Sequence, residues 1–233
     1  MTTLESISMQ ISSTIRTRME HELAEIVSLN DEDASELMLV RHAESAGCYQ
    51  PMDEFDRGAR LSRNGVEQAR RLARRLQSLW VEQIYFAPEQ ATEETASIIS
   101  DIIRRPAACI PDLRDIGFGL RIEEDNAALC DGASTAEAFI AHPRWDALPG
   151  FEKSRAFRLR VVLALESLLA KHPGRRIVVV THSSLINAYL SMVLDIPRDY
   201  FFNPEPSSVS TVRYHNDLYA VRAVNDTAHL LGC

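Results

Sequence analysis

The run RIVVVTH, residues 176–182, constrains the fold of this chain more than any other stretch. It is apolar without alternation, bounded by Gly174 on one side and by Ser183 and Ser184 on the other. Strict alternation would mark a strand with one wet face. An unbroken apolar run of this length reads as a strand buried on both faces, as in a parallel sheet lying between helical layers. ELMLVRH, residues 36–42, is a second run of the same kind, and it also ends in a histidine.

Helical periodicity fills the intervals between such runs. Residues 65–80 place Val66, Ala69, Leu72, Ala73 and Leu76 on one side. Further helices are expected over residues 91–103, over residues 152–171 with a stop at His172–Gly174, and over residues 185–194 with a stop before Pro197. QIYFA (83–87) and AACI (107–110) predict two more strands, and residues 208–214 and 218–224 predict a hairpin turning at His215–Asp217. Residues 114–133, with Gly117, Gly119, Gly132 and several acids, read as a loop. Strands alternating with helices predict an α/β fold of three layers, a mostly parallel central sheet with helices on both faces and antiparallel strands added by the hairpin.

The first thirty residues stand apart. Ile7, Ile11, Ile15, Met19, Leu23 and Ile26 recur at spacings of four and three, which describes one face of an amphipathic helix. The chain therefore divides into a helical extension, residues 1–34, and a domain, residues 35–233. The extension either packs on its own domain or pairs with a second subunit as a homodimer; the sequence leaves both open.

Composition narrows the partners. Across 233 residues the net charge is −8, which argues against nucleic acid or an anionic membrane surface as the main partner. Cys48, Cys109, Cys130 and Cys233 share no CxxC spacing and form no Cys/His cluster, so free thiols are expected and no metal or other cofactor. No leader-like segment and no apolar run near the ~20 residues of a membrane span is present, so the expected location is cytoplasmic.

The two histidines carry the chemistry. Ligands of open α/β sheets bind beyond the carboxyl ends of strands, so His42 and His182 would face one crevice if their strands were neighbours. At this point the sequence resembles the histidine phosphatase superfamily, the phosphoglycerate-mutase-like fold. LVRHAES (39–45) resembles the family's Arg-His signature, and LSRNGVEQARRLARRL (61–76) its first helix. APEQATEETA (87–96) resembles a segment that usually reads Ser-Pro, then Arg-Ala, then Thr-Ala. LRDIGFG (113–119) resembles the segment carrying the proton donor, and residues 178–190 the second-histidine motif. The resemblance spans roughly residues 36–224.

What it implies is a phosphomonoester hydrolase acting through a phosphohistidine on a small phosphorylated metabolite. His42 is the implied nucleophile, and Arg41 binds phosphate oxygens. His182 stabilises charge on the moving phosphoryl group, and Asp115 is the proton donor where the family more often has Glu. Ser45 and Ser183 are candidate phosphate contacts. The chain departs from the pattern at Ala91, where the family has a second phosphate-binding arginine, and the neighbouring Glu89, Glu93 and Glu94 are acidic. Arg57, Arg60 and Arg63 are candidates to supply the missing charge. Two alternatives follow: a catalytically weak or inactive member that binds a phosphorylated ligand or a protein partner, and a phosphoglycerate mutase.

Overall fold

The computed structural model describes residues 33–46, 59–117, 143–147 and 150–231. The helix expected before residue 30 lies outside them. So do Arg57, three of the four cysteines, Glu123, Glu124, Asp131 and most of the two long loops.

Six strands form one sheet: β1 (Ser35–Arg41), β2 (Gln83–Phe86), β3 (Ala107–Cys109), β4 (Arg176–Thr181), β5 (Val209–His215) and β6 (Leu218–Asp226). Their order is β3-β2-β4-β1-β5-β6. The pairs β3/β2, β2/β4 and β4/β1 are parallel, while β1/β5 and β5/β6 are antiparallel. The hairpin turns through Asn216 and Asp217, both at positive φ, the backbone of a two-residue turn that matches the twist of its strands.

Burial explains the strand patterns. All seven residues of β1 are buried, as are the last five of β4. Leu37, Leu39, Ile177 and Val179 face a core shared with helices α3 (Ser154–Lys171) and α4 (Ser183–Val193). Met38, Val40, Val178 and Val180 face the other core, built with α1 (Arg63–Leu76) and α2 (Gln90–Ile103). The three expected layers are present.

Helix ends differ from the periodicity by a few residues. Helix α1 begins at Arg63 because Ser62 caps it, its side chain accepting from the Gly65 N–H. It stops at Leu76, and Trp80, expected inside the helix, lies beyond it and largely exposed under the Arg105 guanidinium.

Candidate active site

Because β1 and β4 are neighbours in register, Arg41 pairs with Thr181 and the next residues are His42 and His182. The His42 N–H donates to the Thr181 carbonyl at 2.9 Å. The ring centroids lie 5.1 Å apart, edge to face. Two residues 140 positions apart in sequence thus meet at the carboxyl edge of the sheet, at the point where β1 has a parallel neighbour on one side and an antiparallel one on the other.

Both rings are buried, with His42 6% and His182 5% exposed, and their surroundings push them in opposite directions. His42 Nδ1 lies 2.9 Å from the Ala43 carbonyl oxygen. A carbonyl only accepts, so the proton sits on Nδ1 and Nε2 keeps its lone pair. Burial, then the neighbouring His182, holds the His42 pKa down at about 3. Burial also works against charge on His182, but the carboxylates of Asp115 and Glu89 outweigh it and its pKa is raised. One ring is kept neutral and the other cationic, a division suited to a nucleophile and a charge stabiliser.

The loop after His42 is fastened to the start of α1. The Glu44 carboxylate accepts from the Ser62 hydroxyl and from the Asn64 amide, its N–H donates to Gln68, and its carbonyl accepts from the Ser62 N–H. Gly65 lies so close that a Cβ there would sit 2.0 Å from the Glu44 carbonyl oxygen. The glutamate and the glycine of the motifs are therefore architectural. The Ala43 N–H donates to Thr95 Oγ1 on α2, which fixes the same loop from the other side.

Arg41 is buried, its guanidinium donating to the Pro204 carbonyl and to Asn203 Oδ1. That segment is held in turn by Asn187 of α4, whose amide donates to the Phe202 carbonyl and accepts from the Phe201 and Phe202 N–H groups. Asp115 is buried beside His182, with Oδ2 3.8 Å from its Nδ1. Its other oxygen accepts from the Ser184 hydroxyl and the Ile116 N–H. Ser183 opens α4 directly after His182, and Ser45 sits three residues beyond His42, bridging Leu61 through its backbone; both are buried.

Two features were not legible beforehand. Ser184 fixes the orientation of Asp115. Glu89, read in the sequence only as part of an acidic surround, is buried and accepts from His182 Nε2 at 2.9 Å and from the Asp115 N–H at 3.1 Å. The signal available was its place at the N-cap of α2, where glutamate is uncommon and where its side chain makes no capping bond.

Ala91 packs in a small apolar cluster with Ala43, Leu61 and Ala69. Of the arginines suggested as substitutes, Arg60 is 78% exposed and lies 3.9 Å from Glu94, and Arg63 is exposed on α1. Arg57 lies outside the described residues. Among the described residues, no group of three or more His, Cys, Asp or Glu is placed to hold a metal ion, and no helix is long and apolar enough to cross a membrane.

Known proteins share this arrangement. A probable phosphoglycerate mutase, GpmB of Enterobacter sp., is 25% identical over 70% of this chain and 76% of its own. Phosphoserine phosphatase 1 of Hydrogenobacter thermophilus is 28% identical over 83% of this chain and 93% of its own. The solved structure of Bacillus stearothermophilus YhfR superposes with a TM-score of 0.73 at 22% identity, over 84% of this chain and all of that one. Residues 37–227, from the first core strand to the end of the hairpin, match one family across its length. The paired strand-end histidines thus sit in a chain that belongs to the histidine phosphatase superfamily, branch 1.

Proposed function

We propose that the protein is a phosphomonoester hydrolase that works through a phosphohistidine on a small phosphorylated metabolite. The observation that carries this reading is the hydrogen bond from His42 Nδ1 to the Ala43 carbonyl, which leaves Nε2 unprotonated beside a cationic His182. In the proposed cycle Nε2 attacks phosphorus and a P–N bond forms while the P–O bond to the substrate alcohol breaks. Asp115 delivers the proton that the departing alkoxide takes up. Water then attacks the phosphohistidine, gives its proton back to Asp115, and inorganic phosphate leaves. Arg41 and His182 would balance the charge on the phosphoryl oxygens, with Ser45 and Ser183 lining the same end of the sheet.

The relatives named as phosphoserine phosphatases support hydrolysis of a small phosphate ester. The relatives named as probable phosphoglycerate mutases make transfer to a second sugar acid the outcome to compare. Ala91, buried among apolar neighbours where the family motif has arginine, favours a slow enzyme or a phosphate-binding member as the second reading. Loss of one charge-stabilising donor costs roughly 10²- to 10³-fold in rate, which slows a hydrolase without removing its pathway.

The test is phosphate release from an aryl phosphate and a panel of phosphorylated metabolites, for wild type and His42→Ala. Turnover by the wild type that falls by at least ~10³-fold in the variant is expected. Release that is indifferent to His42, or absent from the wild type on every ester, would overturn the hydrolase reading.

A further inference from the structure

Position 91 carries no cation, yet a phosphoryl group would bring negative charge into a buried site. The charged and titratable groups that bear on His182 come from three elements: Glu89 at the N-cap of α2, Asp115 after β3, and Arg41 with His42 at the end of β1. Its neighbours on α4, Ser183 and Ser184, are uncharged.

The two carboxylates are held differently. Glu89 accepts at both oxygens, from His182 Nε2 and from the Asp115 N–H. A carboxylate that only accepts requires the proton to be on Nε2. Asp115 commits one oxygen to Ser184 and Ile116, and its other oxygen, 3.8 Å from Nδ1, stands beyond hydrogen-bond distance. The ring is tied at Nε2 and able to donate at Nδ1. Glu89 also leaves the amides of its own helix uncapped while making these contacts, giving up stability that Ser or Asp at that position would supply.

We infer that Glu89 is a positioning residue that makes His182 the second cation of the site: its carboxylate fixes the proton on Nε2 and so directs Nδ1–H at a phosphoryl oxygen carried by His42. This rests on the phosphohistidine reading above, and it explains how the site works without a guanidinium at position 91. With Nε2 held as a donor, the neutral ring has its lone pair on Nδ1, which repels a phosphoryl oxygen, so the imidazolium alone serves. Activity then fails on the alkaline side when Nδ1 loses its proton, and the charge of Glu89 sets that pH.

Long-range ¹H–¹⁵N NMR of the full chain, labelled at histidine, reads the tautomer and protonation state of His182 directly. Its signals are identified by their absence in His182→Asn. Glu89→Gln keeps an acceptor of the same reach without charge, and Glu89→Ala removes both. We expect His182 to deprotonate about one pH unit lower in Glu89→Gln than in wild type. The preference for Nε2–H should persist in Glu89→Gln and vanish in Glu89→Ala. The alkaline limb of kcat/KM should move down by the same interval. Identical titration of His182 in all three proteins overturns the inference, whether or not the wild type turns over. A shifted titration in a wild type that releases no phosphate overturns the proposed function instead and leaves the Glu89–His182 pairing standing.

Discussion

Asp115 shows how much one carboxylate must be constrained to serve as both acid and base. Ser184 and the Ile116 N–H fix one oxygen, and the other faces the space beside His182. A proton donor matters in proportion to the basicity of the leaving group, and a positioned one contributes roughly 10²–10⁴-fold. Asp115→Asn should therefore lower kcat/KM on an alkyl phosphate by about 10²- to 10³-fold and on a nitrophenyl phosphate by less than about tenfold. Equal losses on both esters would give Asp115 a structural role only. The residue itself was legible in the sequence because it follows Leu113 in a recognisable motif. Glu89 was not, because a glutamate among glutamates carries no local sign of being buried; only the packing of α2 against the strand ends turns it inward.

At the level of elements, the apolar runs gave β1 and β4 directly, since burial on both faces removes polar residues from every position. The helices were legible by period and their ends less so, because a cap such as Ser62 and a turn such as residues 77–79 are decided by single hydrogen bonds. The junction between the His42 loop and α1 is the least tolerant of these local arrangements. A methyl group at position 65 would meet the Glu44 carbonyl at 2.0 Å, and backbone cannot yield as a side chain does. Gly65→Ala should destabilise the protein by roughly 1–3 kcal/mol, seen as a lower urea midpoint at unchanged m-value. It should also reduce turnover, because the loop it displaces carries His42. A midpoint equal to that of the wild type would show that the helix start can shift without cost.

For the whole molecule, the opposed histidines leave a signature in stability. The folded pKa of His42 lies below the ordinary 6.5 at about 3, so the unfolded chain binds a proton there that the folded chain refuses. Stability from this group is complete above pH 6.5 and declines as pH falls toward 3, with a slope of about 1.4 kcal/mol per pH unit. His182, with its pKa raised, acts in the other direction: its contribution is complete below 6.5 and is lost as pH rises through its folded value. Urea unfolding between pH 3 and 8 should show a flatter acid limb in His42→Asn than in wild type. An unchanged acid limb would mean that His42 accepts a proton in the fold. No local pattern could have foretold that these two residues are partners. Adjacency of β1 and β4 spans the chain, and it became readable only through the resemblance of the ordered motifs.

That adjacency also separates what can drift from what cannot. Neighbouring strands sit about 4.8 Å apart wherever a sheet forms, so the gap between the two rings is a lattice constant of the backbone and owes nothing to the loops above it. Segments that would shape the mouth of the crevice can be exchanged, lengthened or grafted from a cousin without retuning the pair beneath. Such a chassis lets new substrates be tried by swapping the upholstery while the engine stays bolted to its frame.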